Sequence, residues 1–380
     1  MSRPVPTRRD RRTRRRIRRK RVLVALGVVV TVVVSVAAAS VLASTPAREE
    51  AVVRPATSSP DPVVPASAAD RLLATTTDPD ACAVEFADDG VALDPQLQVR
   101  GVLYRGLPIP RAAGRVFAGW YPTAVDAAAG TTSARINGAD LVACTDRRAT
   151  LHAAWTTPEE NRAAATRLPI LMYHQFTTRP EGEDGWLRLN YAFLGDFDAQ
   201  MAHIEQTGFY LPTWDEVDAF IDGALFLPAR SVVITDDDAD LTWLQLAAPV
   251  VDRRHLLTTS FVITSARTEP SPNPFVLQRS HTHDMHRAGP NGKGRLVNDD
   301  VATIVGDLEE SARILGAKDV VAYPFGHYDD RTKEAVRAAG FALGRTIEPG
   351  YVRIGTDKLA LPVVRVNYGM TVDELAAAIG

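Results

Sequence analysis

The chain has 380 residues, 46% of them hydrophobic, enough for a catalytic core and one smaller domain. Its formal net charge of −3 conceals an asymmetry: residues 1–21 hold 12 Lys and Arg against one Asp, and the remainder carries 31 basic against 45 acidic side chains, a net of −14. A body that acidic argues against nucleic acid as a partner and assigns the basic block to membrane topology.

In chain order, the basic tail 1–21 is followed by a charge-free, Val- and Ala-rich run, residues 22–43. At about 1.5 Å per residue that run spans a hydrocarbon core of roughly 30 Å. The arginines before it predict a single-pass signal-anchor with the N-terminus in the cytoplasm and everything after it outside the cell membrane. A signal peptide cut near Val41-Leu42-Ala43 is the other reading, and it too places the body outside. Residues 44–80 are rich in Pro, Ala, Ser and Thr and read as a semi-stiff linker. The two cysteines, Cys82 and Cys144, fall in one segment, and in an oxidising compartment they read as one disulfide. Residues 81–158 alternate β-like runs with turn residues, a small mostly-β module with Trp120 and Trp155 read as core residues and sugar-stacking platforms as the alternative.

From Leu168 to Gly380 strand and helix signals alternate. Strands are expected at 168–173, 231–235, 259–264, 275–280, 320–323, 341–343 and 362–366. Helices are expected at 197–207, after the Thr213–Glu216 capping box, and at 299–315, 331–339 and 371 onward. A helix-like segment also begins at Trp243. Repeated units of this length predict an α/β fold, a mostly parallel sheet or a (β/α) barrel, with its functional residues at the C-terminal ends of strands. Two clusters fall at such ends. Asp236, Asp237, Asp238 and Asp240 follow the run Ser231–Ile234. Of carboxylates so crowded some must be protonated, paired or bound to a cation, and an Asp-rich surface turn is the other reading. His281, His283 and His286 follow a second apolar run, and imidazoles at this spacing suit a divalent transition metal. The glycine-rich loop 288–295 reads as a mobile flap or equally as an ordinary flexible connection. Trp186 and Trp243 read as core residues, with stacking on sugar rings as the alternative.

The order of these motifs resembles the polysaccharide deacetylases, the NodB-homology or carbohydrate esterase family 4 domain, and in spacing its poly-N-acetylglucosamine branch. The resemblance implies a distorted (β/α) barrel. Thr235-Asp236-Asp237-Asp238-Ala239 stands where the family has Thr-Phe-Asp-Asp-Gly, which makes Asp237 the general base and Asp238 a metal ligand. It implies His281 and His286 as the other ligands, with His283 the alternative to His286. Tyr323-Pro324-Phe325-Gly326-His327 matches the family's Pro-Tyr-Gly turn, so the Phe325 N–H is the oxyanion donor. The family's late histidine has no counterpart in Leu361–Asn367, and the general acid falls to His174, with His327 second. The cofactor implied is zinc, with cobalt or nickel compatible, and the substrate an acetylated N-acetylglucosamine polysaccharide. A catalytically inactive glycan-binding protein on the same fold is the alternative. Val116–Tyr121 and Ala153-Ala154-Trp155 resemble a Listeria–Bacteroides (internalin B-repeat) β-grasp module.

Overall fold

The structure, a computed structural model, describes residues 66–88 and 90–380. The basic tail 1–21, the apolar run 22–43 and the expected linker up to residue 65 lie outside the described residues. Among the described residues no helix is long and apolar enough to cross a membrane. The last part of the expected linker carries a short helix, α1 (Ala68–Leu73), because Ser67 and Asp70 close a capping box at its start.

The first sheet is formed by β1 (Ala81–Ala87), β2 (Gln96–Val99), β3 (Val116–Tyr121) and β4 (Arg148–Thr156), with α2 (Ala124–Ala129) between the last two. Its order is β2-β1-β4-β3; the middle pair is parallel and the outer pairs antiparallel. Trp120 is buried, and Trp155 packs partly buried against the same core. Cys82 and Cys144 stand beside each other as two thiols, not as the expected disulfide. Burial, and then the neighbouring Cys144, pushes the Cys82 thiol up to about 12.

After α3 (Pro158–Ala163) the chain enters the barrel. Its elements are β5 (Ile170–Tyr173), the short pair β6 (Gln175–Thr177) and β7 (Tyr191–Phe193), α4 (Leu194–Thr207), α5 (Trp214–Ile221), β8 (Val233–Asp236), α6 (Ala248–Arg254), β9 (Thr258–Val262), β10 (Val276–Ser280), α7 (Val301–Leu315), β11 (Val320–Ala322), α8 (Asp330–Ala338), β12 (Leu343–Pro349), β13 (Leu361–Arg365) and α9 (Val372–Ile379). Seven strands close a ring in the order β10-β11-β12-β13-β5-β8-β9, every pairing parallel. Of the two architectures the alternation allowed, the barrel, which the family resemblance implied, is what forms. Strands buried on both sides, such as β8 and β9, read as near-continuous β-branched and aromatic runs because helices cover their outer face. The last strand but one is longer than expected: β12 runs on through Arg345 and Thr346, both buried.

The sheet and the barrel share one hydrophobic core. Phe117, Trp120 and Leu151 from the sheet meet Trp214, Phe220 and Leu225 from the barrel. Gly119 makes this contact possible. It has φ 113°, and a Cβ there would stand 2.3 Å from Arg135 Nε. The buried Arg135 guanidinium occupies that space, pairs with Glu216 at 3.4 Å and donates to the Phe226 carbonyl at 2.8 Å. Glu216 belongs to α5, where it also closes the Thr213 capping box.

Candidate active site

The rim at the C-terminal ends of the strands brings three ligand-type side chains together. Asp238 follows β8, and His281 and His286 follow β10. Asp238 Oδ1 lies 3.4 Å from His281 Nε2 and 3.3 Å from His286 Nε2, and one ligand atom from each residue falls within 4.8 Å of the others. With metal–ligand bonds of about 2.0–2.1 Å, the edge of a coordination tetrahedron is about 3.3 Å. Asp238 Oδ1 is buried and has no hydrogen-bond partner. A buried carboxylate oxygen left open between two imidazoles fits a cation. His281 Nδ1 is 2.9 Å from the Ala322 carbonyl, so Nδ1–H donates there and the Nε2 lone pair faces Asp238. Burial raises the Asp238 carboxyl, but His281, His286 and His174 outweigh it and hold the group well below the usual range. Burial, and then His281, lowers the His286 imidazole.

Asp237 points to a different pair. Its Oδ1 accepts from Arg345, which is fully buried, and its Oδ2 lies 3.6 Å from His174 Nε2. Burial pushes the Asp237 carboxyl up; Arg345, His174 and His281 overcome this and leave it below its ordinary value. Burial holds the His174 imidazole below its ordinary value, against Asp237 and Asp238, which raise it. The sequence reading assigned no arginine to this place. The available signal was a charged residue inside the alternation Leu343-Gly344-Arg345-Thr346-Ile347, with an aliphatic on each side.

The structure brings His286, not His283, to Asp238. His283 Nδ1 sits 3.0 Å from Thr264 Oγ1, and its backbone N–H donates to Asp307. His327 is also turned elsewhere: its Nδ1 accepts from the Gly294 N–H at 2.9 Å. That bond ties the glycine-rich loop, which forms a hairpin, to the turn after β11. Ala288 bridges Gly294, and the Asn298 amide donates to Asn291 Oδ1 and to the Gly294 carbonyl, each at 2.8 Å. Phe325 lies between this hairpin and the cluster, its ring 4.3 Å from that of His286. Gly326 and His327 use their N–H groups on Tyr323 and Pro324. Trp243 is buried as expected, but Trp186 is 90% exposed, not a core residue.

Asp236, where the resembled family has Phe, is fully buried. Its Oδ2 accepts from Ser260 at 3.1 Å. Burial, then Asp237 and Asp238, push its carboxyl well above the usual carboxylate range, and Ser260 opposes this. Four non-glycine residues around the cluster have left-handed backbones: Asp238 (φ 72°), Ala239 (φ 49°), Thr282 (φ 70°) and Phe325 (φ 59°). For a β-branched residue such as Thr282 this is costly, and such strain concentrates where side chains must be aimed.

A search with family models finds no match. Sequence comparison finds curated relatives. The poly-β-1,6-N-acetyl-D-glucosamine N-deacetylase of Staphylococcus aureus (strain MRSA252) is 27% identical over 161 residues, covering 37% of this chain and 56% of the relative. The same enzyme of Staphylococcus epidermidis is 26% identical over 161 residues with the same coverage. These relatives are N-deacetylases. The chain spans a little over half of their length. Among solved structures, the deacetylase PplD of Streptococcus pyogenes in complex with acetate matches with a TM-score of 0.49 and 21% identity, covering 57% of this chain and 99% of that one. IcaB from Ammonifex degensii matches with a TM-score of 0.48 and 23% identity, covering 56% and 97%. The poly-N-acetylglucosamine branch read from the motif spacing is thus the branch to which the sequence relatives belong.

Proposed function

We propose that the chain is a metal-dependent N-deacetylase of an N-acetylglucosamine polysaccharide outside the cytoplasm. The observation that carries this is the open, buried Asp238 Oδ1 between two imidazole nitrogens at tetrahedral-edge distance, with Asp237 beside it. The named activity of the sequence relatives supports the acetamide as target. The arginine-flanked run 22–43 supports membrane anchorage with the body outside.

Asp238, His281 and His286 would hold the ion, and an oxygen–nitrogen set of this kind suits zinc, with cobalt or nickel as substitutes. A bound ion supplies Lewis acidity and a water acidic enough to ionise near neutral pH. Asp237, with Oδ1 held by Arg345, offers Oδ2 to the proton released as water adds to the acetamide carbon. The Phe325 main-chain N–H donates to the oxygen that gains charge. His174 Nε2, 3.6 Å from Asp237 Oδ2, passes on to the departing amine the proton that Asp237 has taken from the water. Acetate and a free glucosamine unit leave.

The test is acetate release from poly-β-1,6-N-acetylglucosamine by the purified full chain, with metal content measured in parallel. Release is expected, with loss in Asp237→Asn and after chelation and return on adding zinc. A metal-loaded chain that frees no acetate from any acetylated glycan removes the proposal.

A further inference from the structure

The indole of Trp186 is held out in water at 90% exposure, and Leu189, three residues on in the chain, is 59% exposed. An apolar side chain left in this state on a loose loop would be unremarkable, but this loop is fastened. Glu183 accepts from Thr177 Oγ1 at 2.5 Å and from Arg179 at 3.1 Å. The Tyr368 hydroxyl donates to the Pro180 carbonyl, and the Arg188 guanidinium lies 4.8 Å from the Tyr368 ring centroid. The loop therefore presents Trp186 without covering it.

Its place in the barrel gives that presentation a direction. The loop leaves β5 and begins with His174. In the ring of seven strands β5 stands three places from β10 one way round and three from β11 the other. The β5 loop thus faces, across the mouth, the hairpin after β10 and the Phe325 turn after β11. Asp238, on the β8 loop, sits between them. A linear polymer laid across the mouth from the Phe325 side passes the cluster and then meets the β5 loop.

We propose that Trp186 is a sugar-stacking subsite for a unit flanking the one that reacts, so that the mouth accepts internal units of a glycan chain. The proposal rests on the deacetylase reading for the identity of the chain. The chemistry is the fit of an indole face to the C–H face of a pyranose, an apolar contact with a polar perimeter.

The experiment uses the full-length chain with Trp186→Ala and Trp186→Phe, and β-1,6-linked N-acetylglucosamine as a single unit and as an oligomer. Trp186→Ala is expected to raise KM for the oligomer about tenfold more than for the single unit, with Trp186→Phe recovering most of the difference. In the Asp237→Asn background, stripped of metal, the oligomer is expected to shift the tryptophan fluorescence, and Trp186→Ala to abolish the shift. Equal KM changes for single unit and oligomer overturn the subsite. So does a Trp186→Ala protein that loses affinity for lipid vesicles while its oligomer KM is unchanged, since the indole then serves a membrane surface. A fluorescence shift without acetate release from any substrate sustains the subsite and removes the deacetylase reading.

Discussion

Ala239 follows Asp238 in a left-handed backbone, at φ 49°, where a glycine would carry no Cβ penalty. Ala239→Gly is expected to leave the fold intact and raise its stability by up to about 1 kcal/mol in urea unfolding. A loss of stability would show that the buried methyl packs better than the strain costs. Arg345 poses the opposite case, since it and Asp237 are buried together. Arg345→Met leaves Asp237 buried without its partner, and a loss of about 3–5 kcal/mol is expected. The same change acts on the chemistry. The wild-type carboxyl lies below its ordinary value because Arg345 and the imidazoles outweigh burial. A depressed folded pKa stabilises the fold above the unfolded value, and that contribution is lost as pH falls through the folded one. Without Arg345 burial dominates, the carboxyl rises, and the acid limb of kcat/KM moves to higher pH. Activity should therefore fall more at pH 6 than at pH 8, and a limb that stays in place would separate Arg345 from the base. The meeting of Asp238 with His281 and His286 follows the expectation that the family resemblance of two strand-end motifs raised, with His283 as the alternative to His286. Arg345 was not legible in the sequence, because its link to Asp237 spans 108 residues and a short reading of β12 hid it.

Elements were legible where local chemistry sets their ends. The capping boxes at Thr213 and Thr371 open α5 and α9 as expected, and Gly208 and Gly316 close α4 and α7 with left-handed backbones. Contacts between elements were hidden. Glu216 reads as a capping residue, yet it also accepts from Tyr210, from Arg135 and, at 2.6 Å, from Asn137, binding the 136–140 loop to α5. Asp140 in that loop accepts from the Asn137 N–H at 2.9 Å. Burial lifts its carboxyl, the Asn137 bond opposes this, Glu216 adds to it, and the group reaches about 6. A folded pKa above the unfolded one means that the folded state binds the extra proton, so stability falls as pH rises from about 4 to about 6 and stays reduced above it. Asp140→Asn keeps the acceptor and removes the charge. Its stability advantage over wild type should grow from pH 5 to pH 8, towards about 3 kcal/mol. Thermal unfolding at the two pH values measures this, and an advantage that does not grow would mean Asp140 is better solvated than its burial implies.

At the scale of the whole molecule, alternation along the sequence marked a β module and a barrel but could not show that they share a core. That core depends on side chains far apart in sequence. Phe117 on β3 exchanges backbone hydrogen bonds with the 224–226 segment, at 3.3 Å from its N–H to the Ala224 carbonyl and 2.8 Å from the Phe226 N–H to its own carbonyl. Trp120 and Leu151 then pack into the same cluster as Trp214 and Phe220. Two bodies joined by a continuous apolar core lose its burial together, so the described residues from 66 to 380 should unfold as one cooperative unit. Cys82 supplies a probe on the sheet side, because its thiol is buried there and becomes reactive only on opening. Helical circular dichroism supplies one on the barrel side, where α4 and α7 are the longest described helices. In guanidinium the labelling of Cys82 and the loss of helical signal should follow one curve. Phe117→Ala should shift both by the same amount, equivalent to about 3–5 kcal/mol. Labelling that precedes the helical loss would mean the sheet opens while the barrel stands, and the Arg135–Glu216 contact would then be a docking interaction rather than part of a single fold.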